Sequence, residues 1–280
     1  MRKPHDGSAP CGRVSDGGQT IQTYDKVAAA YDAQNSGPVW RVHEHVTLQG
    51  VAPLLPPPGG AVLDAGAGSG TYALAFLGRG DRVTLLDPSP GMLDVARAKV
   101  AQRGLSGKAR FLQGVVERLS LREGSFDLVF CEGDALSYAG PQRAAAAREI
   151  LRVLRPGGAF YVSVDNRWIA TLGFLAQGRV AEGFAAAAHG KGLDPYGMGV
   201  HAFAPDELRD LFVEAGAQDV RVGGKVLFAH FLPPAALEHM GRDPVAWGEL
   251  LALESRLSAD LSLSGHAGHL VVTGRKGGAP

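Results

Sequence analysis

The chain has 280 residues, 45% of them hydrophobic, and its 28 Lys and Arg balance its 28 Asp and Glu. That length holds one sizeable core with a small appended lid and argues against two large independent domains. Zero net charge gives no global field to hold a polyanion, which disfavours an obligate nucleic-acid partner, and two cysteines, Cys11 and Cys131, make neither a disulfide framework nor a thiolate metal site.

Residues 1–20 are rich in Gly, Pro and Ser without periodicity and are expected to form a flexible tail. Met1-Arg2-Lys3 is followed by Pro and Gly rather than an apolar signal core, and no run approaches the roughly 20 apolar residues of a membrane span. The expectation is a cytoplasmic protein with no membrane partner. Residues 21–57 have helical spacing, with Tyr24, Val27 and Tyr31 on one stripe and Val39, Val42 and Val46 on another, and read as an N-terminal helical cover. The run Pro56-Pro57-Pro58-Gly59-Gly60 stops it.

A core over 58–165 alternates β-rich runs at 61–65, 82–86, 109–112, 126–131 and 159–164 with helical ones at 71–77, 90–103 and 142–154. The strands are nearly all apolar, as a parallel sheet covered on both faces requires. Their alternation with helices implies right-handed crossovers and an open, doubly wound α/β sheet. Residues 166–204 break the pattern with an Ala-rich helical stretch at 168–188 and a Gly-rich one at 190–199, and read as an inserted lid. Over 205–276 the core sheet resumes: Pro205-Asp206-Glu207-Leu208 opens a helix that ends at Gly216, and strands follow at 219–222 and 269–273.

Chemistry concentrates in Val62-Leu63-Asp64-Ala65-Gly66-Ala67-Gly68-Ser69-Gly70, an apolar strand entering a loop with Gly at every second position. Such a loop lets the backbone approach a ligand closely. The next strand ends on Asp87, about twenty residues on, where a carboxylate can accept hydrogen bonds from both ribose hydroxyls and can also cap the helix after Pro88-Ser89-Pro90. The glycines fall as G-x-G-x-G rather than G-x-G-x-x-G, and Asp64 precedes them directly. An acid there repels a dinucleotide pyrophosphate but tolerates a sulfonium, so an NAD-dependent oxidoreductase is the weaker reading.

With these residues the sequence resembles the class I S-adenosylmethionine-dependent methyltransferases, from about Tyr24 to Lys276. The resemblance implies a Rossmann-like, mostly parallel sheet of seven strands with the last antiparallel, and S-adenosylmethionine as cofactor. It also implies that Asp64, Gly66, Gly68 and Gly70 hold the methionine part and ribose, Asp87 the ribose, and Met92, after the turn from Pro88, the adenine. Gln113 to Leu119 matches the third motif with Val115 where the family usually has Asp, leaving the Val116 amide or Glu117 to read the adenine amine. Phe126 to Asp134 is similar to the fourth strand and its active-site exit at Glu132, and Leu151-Arg152-Val153-Leu154-Arg155-Pro156-Gly157-Gly158 to the turn before the fifth. Tyr24, Tyr31 and Arg41 resemble the helical cover folded over the cofactor, with Arg41 suited to clamp a carboxylate bidentately.

The expected reaction is in-line methyl transfer to a small-molecule N or O nucleophile; an RNA or protein methyltransferase, or a non-catalytic S-adenosylmethionine-binding regulator, are the alternatives. A base is needed only where the acceptor must lose a proton. His201 is the first candidate because it precedes the helix at Pro205 and titrates near neutrality, followed by Glu132, His189 and Asp165. His43-Glu44-His45 sends its two histidines to different sides of a helix, and His266 with His269 is no better, so no metal is expected. Trp168, Phe174, Phe184, Tyr196 and Phe203 would give the acceptor pocket aromatic walls. Cys131-Glu132-Gly133-Asp134 stands where base-amine and glutamine methyltransferases carry Asn-Pro-Pro-Tyr or Asp-Pro-Pro-Tyr. Nothing in the sequence sets an oligomeric state.

Overall fold

Seven strands form one sheet, in the spatial order 109–113, 82–87, 61–65, 126–131, 154–165, 269–276 and 217–225. The computed structural model describes residues 17–278. The five core strands β1 (Ala61–Ala65), β2 (Arg82–Asp87), β3 (Ala109–Gln113), β4 (Phe126–Cys131) and β5 (Leu154–Asp165) are parallel. The last in the chain, β9 (His269–Lys276), is antiparallel to β5 and to its other neighbour, β8 (Ala217–Lys225).

Alternate residues of each apolar strand serve opposite faces. Val62, Val83, Leu85, Leu128 and Phe130 pack under α4 (Thr71–Gly78) and α5 (Pro90–Gln102), together with Val51 at the end of α3 (Pro38–Val51). Leu63, Val129, Cys131, Phe160 and Val162 pack against α7 (Arg143–Val153) and α10 (Pro205–Glu214) on the other. Burial on both faces is why these strands read as continuous apolar runs. Order reverses at β1, whose neighbours β2 and β4 continue in opposite directions, so a crevice opens beyond the carboxyl ends of β1, β2 and β4.

Residues 1–16 of the stretch expected to be a tail lie outside the described residues; from Gly17 the chain is already helical, in α1 (Gly17–Val27). The expected N-terminal helical run is three pieces, α1, α2 (Tyr31–Gln34) and α3, with Gly37 and Pro38 starting the last because proline suits a first helical turn. A short α6 (Ala135–Tyr138) follows β4. The insertion is a helical hairpin rather than one helix: α8 (Arg167–Ala176) and α9 (Val180–His189) are separated by Gly178 at φ +73°, and β6 (Lys191–Leu193) pairs with β7 (Gly199–His201).

Three helices between β8 and β9 have no counterpart in the sequence reading: α11 (Pro234–Met240), α12 (Pro244–Leu257) and α13 (Leu261–Ser264). Pro follows the first residue of a cap at Asp243, whose carboxylate accepts the amides of Val245 and Ala246. Leu237 and Leu250 pack with Val42 and Val46 of α3 in a small separate cluster, so these helices brace the cover. Among the described residues no helix is long and apolar enough to cross a membrane.

Candidate active site

The crevice holds a cavity of about 770 Å³. Its floor is the loop from β1 to α4. Gly66 sits at φ +82°, where a Cβ would meet Ala135 Cβ at 2.6 Å, while a Cβ on Gly68 would meet nothing within 4 Å. The loop is thus pressed against α6 on one side and bare toward the cavity on the other. Gly70 does not line the cavity; it caps α4 at φ +78° against Ala96 and Leu85.

Asp87 is buried at the end of β2 and ties the loop down, accepting the amides of Gly68 at 2.8 Å and Ser89 at 2.9 Å. Burial raises its pKa to about 6 against the pull of those two amides. Pro88, Met92, Val116 and Glu117 form the adjoining wall, Met92 and Val116 almost wholly buried. Asp64 and Glu132 close the opposite end. Burial, with the nearby charges of Asp87 and Glu132, raises the pKa of Asp64 to about 8. One oxygen of each acid, Asp64 Oδ2 and Glu132 Oε2, is buried without a hydrogen-bond partner among the described residues.

Tyr24, Tyr31 and Arg41 also line the cavity. The Tyr24 and Tyr138 hydroxyls lie 2.8 Å apart, and Tyr138 donates to Asp194 at 2.6 Å. Tyr24 meets Tyr31 and Tyr196 edge to face, so cover and insertion meet over the opening. Burial raises the pKa of both Tyr24 and Tyr31, keeping the phenols neutral. The Arg41 guanidinium lies over the Trp247 ring at 4.5 Å, held by a helix that the sequence reading did not foresee.

His201 is not brought to the cavity. Its Nε2 lies 2.7 Å from Glu207 Oε1, its ring stands edge-on to Phe203, and it is not among the described residues that line the opening. Helix α10, which made it attractive in the sequence, supplies the acid that occupies it. His189 ends α9, and Asp165 is half-buried at the end of β5 with its pKa raised to about 8 by desolvation and Asp134; neither lines the cavity. Trp168, Phe174, Phe184, Tyr196 and Phe203 are also absent from the lining, with Phe184 69% exposed. The aromatic walls are instead Tyr24, Tyr31, Trp40, Tyr72 and Tyr138. Asp134, Asp165 and His269 each bring one potential ligand atom within 4.8 Å of the others, and His269 Nδ1 lies 3.3 Å from Asp134 Oδ1 as an ion pair.

The sequence reading missed the acids that fasten the cover. Asp25 accepts the Ser89 hydroxyl at 2.6 Å and the Gly91 amide at 2.9 Å. Asp32 accepts the Ser69 hydroxyl and pairs with Lys99 at 2.7 Å. It also missed His43, Tyr72 and Lys225. His43 was noticed only as half of an unsuitable metal pair, and nothing local marks a lysine at the end of an edge strand as buried.

Residues 62–158 match the family model described as a methyltransferase domain. The chain is 32% identical over 152 residues to the ubiquinone/menaquinone biosynthesis C-methyltransferase UbiE of Azotobacter vinelandii, covering 51% of this chain and 57% of that one. It is 39% identical over 106 residues to the malonyl-acyl-carrier-protein O-methyltransferase of Serratia marcescens, 38% of each chain. The chain therefore spans little more than half the length of the first of these relatives and less of the other. The solved structure of the cyclase SpnF is similar over 93% of this chain and 96% of that one, with a TM-score of 0.63 and 22% identity, a likeness of fold. The mostly parallel seven-stranded sheet with its glycine loop is a Rossmann-like α/β fold. Over residues 62–158 the chain is similar to a methyltransferase domain, and the likeness is to the class I S-adenosylmethionine-dependent methyltransferases, whose cofactor is S-adenosylmethionine.

Proposed function

We propose that this chain transfers a methyl group from S-adenosylmethionine to a small-molecule nucleophile in the cavity beyond β1, β2 and β4. The observation that carries the reading is the pair of buried carboxylate oxygens without a partner among the described residues, Asp64 Oδ2 and Glu132 Oε2, on two acids that line one cavity with a bare glycine loop. Buried acceptors without donors are costly, and an occupant bringing positive charge and N–H groups relieves them. A dinucleotide would instead push its pyrophosphate toward Asp64, Asp87 and Glu132.

When bound, S-adenosylmethionine supplies an electrophilic methyl group on a sulfonium. The residues suited to hold it are Asp64, Gly66 and Gly68, with Gly70 setting the loop; Asp87 for the ribose; Pro88 and Met92 for the adenine; and Val116 and Glu117 for its amine. Tyr24, Tyr31 and Arg41 cover the methionine end. Glu132 faces the same space and is the carboxylate suited to an acceptor's N–H or O–H. The protein's task is alignment and exclusion of water, and the tyrosine roof serves both.

A cavity of about 770 Å³ lies in the range of small-molecule sites, which supports a small acceptor over a macromolecule. The matched relatives include one named for C-methylation and one for O-methylation, so the acceptor atom extends from N and O to an activated carbon. The test is calorimetry with S-adenosylmethionine and NADH, followed by a screen of small amines and hydroxyl compounds with labelled methyl donor. Tight S-adenosylmethionine binding with turnover of a small compound supports the reading. Binding of NADH alone overturns it, and binding without turnover of any acceptor supports a regulator instead.

A further inference from the structure

Four side chains from distant parts of the chain converge beneath the cavity. His43 is buried on α3, with Nδ1 3.1 Å from the Tyr72 hydroxyl of α4 and Nε2 3.4 Å from Oε1 of Glu132, just after β4. Glu132 Oε1 also forms an ion pair with Lys225, the fully buried last residue of β8, whose Nζ lies 3.3 Å from Thr47 Oγ1. His43, Tyr72 and Glu132 line the cavity, whereas Lys225 stands behind them. A network built only to hold the fold would close on itself. This one leaves Glu132 Oε2 buried and unpartnered among the described residues.

The order of these contacts sets the direction of proton movement. Glu132 lies between Lys225 and His43, and a carboxylate facing Nε2 favours the tautomer with its proton there, leaving Nδ1 bare. The Tyr72 hydroxyl then donates to Nδ1; Thr47 takes one of its oxygen lone pairs, and the other is left for a donor in the cavity. Resting on the methyltransferase reading, we propose that Tyr72, His43 and Glu132 form a proton relay serving an acceptor whose hydroxyl must lose its proton, a phenol or an enol. The acceptor's proton passes to the Tyr72 oxygen as the Tyr72 proton passes to Nδ1, and the O–H electron pair stays on the acceptor. The charge arriving on the imidazole is met by Glu132.

A relay of this kind singles out the acceptor class. An amine becomes nucleophilic once bulk water has taken its proton, and a carboxylate has none to lose; a hydroxyl is the group that gains from a positioned base. The ring of His43 is faced by Glu132, by Tyr72, by Lys225 and by His269, whose ring meets it edge-on at 5.2 Å and is itself paired with Asp134. Trp40 and Glu44 belong to its own helix. Burial, with Lys225 and His269 adding to it, holds the His43 pKa well below the usual imidazole value, so the ring waits in the neutral form. Lys225 is a positioning residue that acts through Glu132.

The test uses the full chain labelled with ¹⁵N-histidine, with and without S-adenosylhomocysteine. The His43 ring is expected to carry its proton on Nε2, with Nδ1 bare, at neutral pH and above. Tyr72→Phe removes only the hydroxyl. It should shift the Nδ1 resonance and leave S-adenosylhomocysteine affinity within about twofold. Turnover of phenol should fall about 100-fold or more, while that of 4-nitrophenol, ionised near neutral pH, should change by less than about threefold. A proton found on Nδ1, equal losses on both phenols, or a wild-type chain that binds S-adenosylhomocysteine yet methylates amines alone would overturn the relay. Failure of the methyltransferase reading shows separately, as absence of S-adenosylhomocysteine binding in calorimetry.

Discussion

The carboxylate of Asp87 accepts the amide of Gly68 at 2.8 Å, so the acid ending β2 is the strut of the glycine loop that follows β1. Its other oxygen takes the Ser89 amide at 2.9 Å. One side chain therefore shapes the loop and faces the cavity. Asp87→Ala is expected to weaken S-adenosylmethionine binding by about 1.5–3 kcal/mol, the scale of a lost charged hydrogen-bond acceptor, and to lower the melting temperature of the free chain. Asp87→Asn, which keeps one acceptor oxygen, should lose less on both counts. Unchanged affinity in Asp87→Ala would remove the carboxylate from the ligand contact.

Asp64 links ligand binding to pH. Burial puts its pKa at about 8 in the folded chain, against about 3.9 unfolded, so between these values the folded state binds the extra proton. Stability from this group is then greatest in acid and falls as pH rises toward 8. A cationic ligand beside Asp64 favours the ionised form. S-adenosylmethionine binding near pH 7 should therefore release up to about one proton, read by calorimetry in buffers of different ionisation enthalpy. Asp64→Asn should abolish the release. An equal release from the variant would trace the proton to another group.

The parallel core was legible because its signals are local: apolar runs, the glycine loop and the strand-end acid each lie within a few residues. Asp64, Gly66, Gly68, Asp87, Met92 and Val116 face one cavity or shape it because strand order at β1 brings consecutive strand ends together. His201 misled because proximity to a helix start in sequence says nothing about which way a side chain faces, and Glu207, one turn into that helix, takes it. The His43, Tyr72 and Lys225 cluster joins residues up to 182 positions apart. No periodicity encodes such a meeting; it follows from the cover folding across the end of β8.

His201→Ala should accordingly leave both the turnover rate and its pH profile as in the wild type. Its cost should be in stability, about 1.5 kcal/mol, the low end for one hydrogen bond to a charged group, because Glu207 keeps Arg167 and Arg143 as partners. Urea denaturation measures the cost. A lost limb in the pH–rate profile would return His201 to the site.

Lys225 and Glu132 form a buried ion pair with side-chain exposures of 0% and 4%. Removing water from two charges is expensive, and the pair repays that cost only while both partners are present. Lys225→Met leaves the Glu132 charge buried without its counter-ion and should destabilise the chain by about 3–5 kcal/mol. Glu132→Gln strands the ammonium in the same way, softened by the amide oxygen that remains beside it. The double variant carries no charge at this position, so its loss should be well below the sum of the two single losses. A double-mutant cycle in urea is expected to give a coupling of about 2–3 kcal/mol. Additive losses would mean that water or a neighbour, such as Asp134, whose charge acts on Lys225, already satisfies one of the two charges, and that the pair does not fix the carboxylate facing His43.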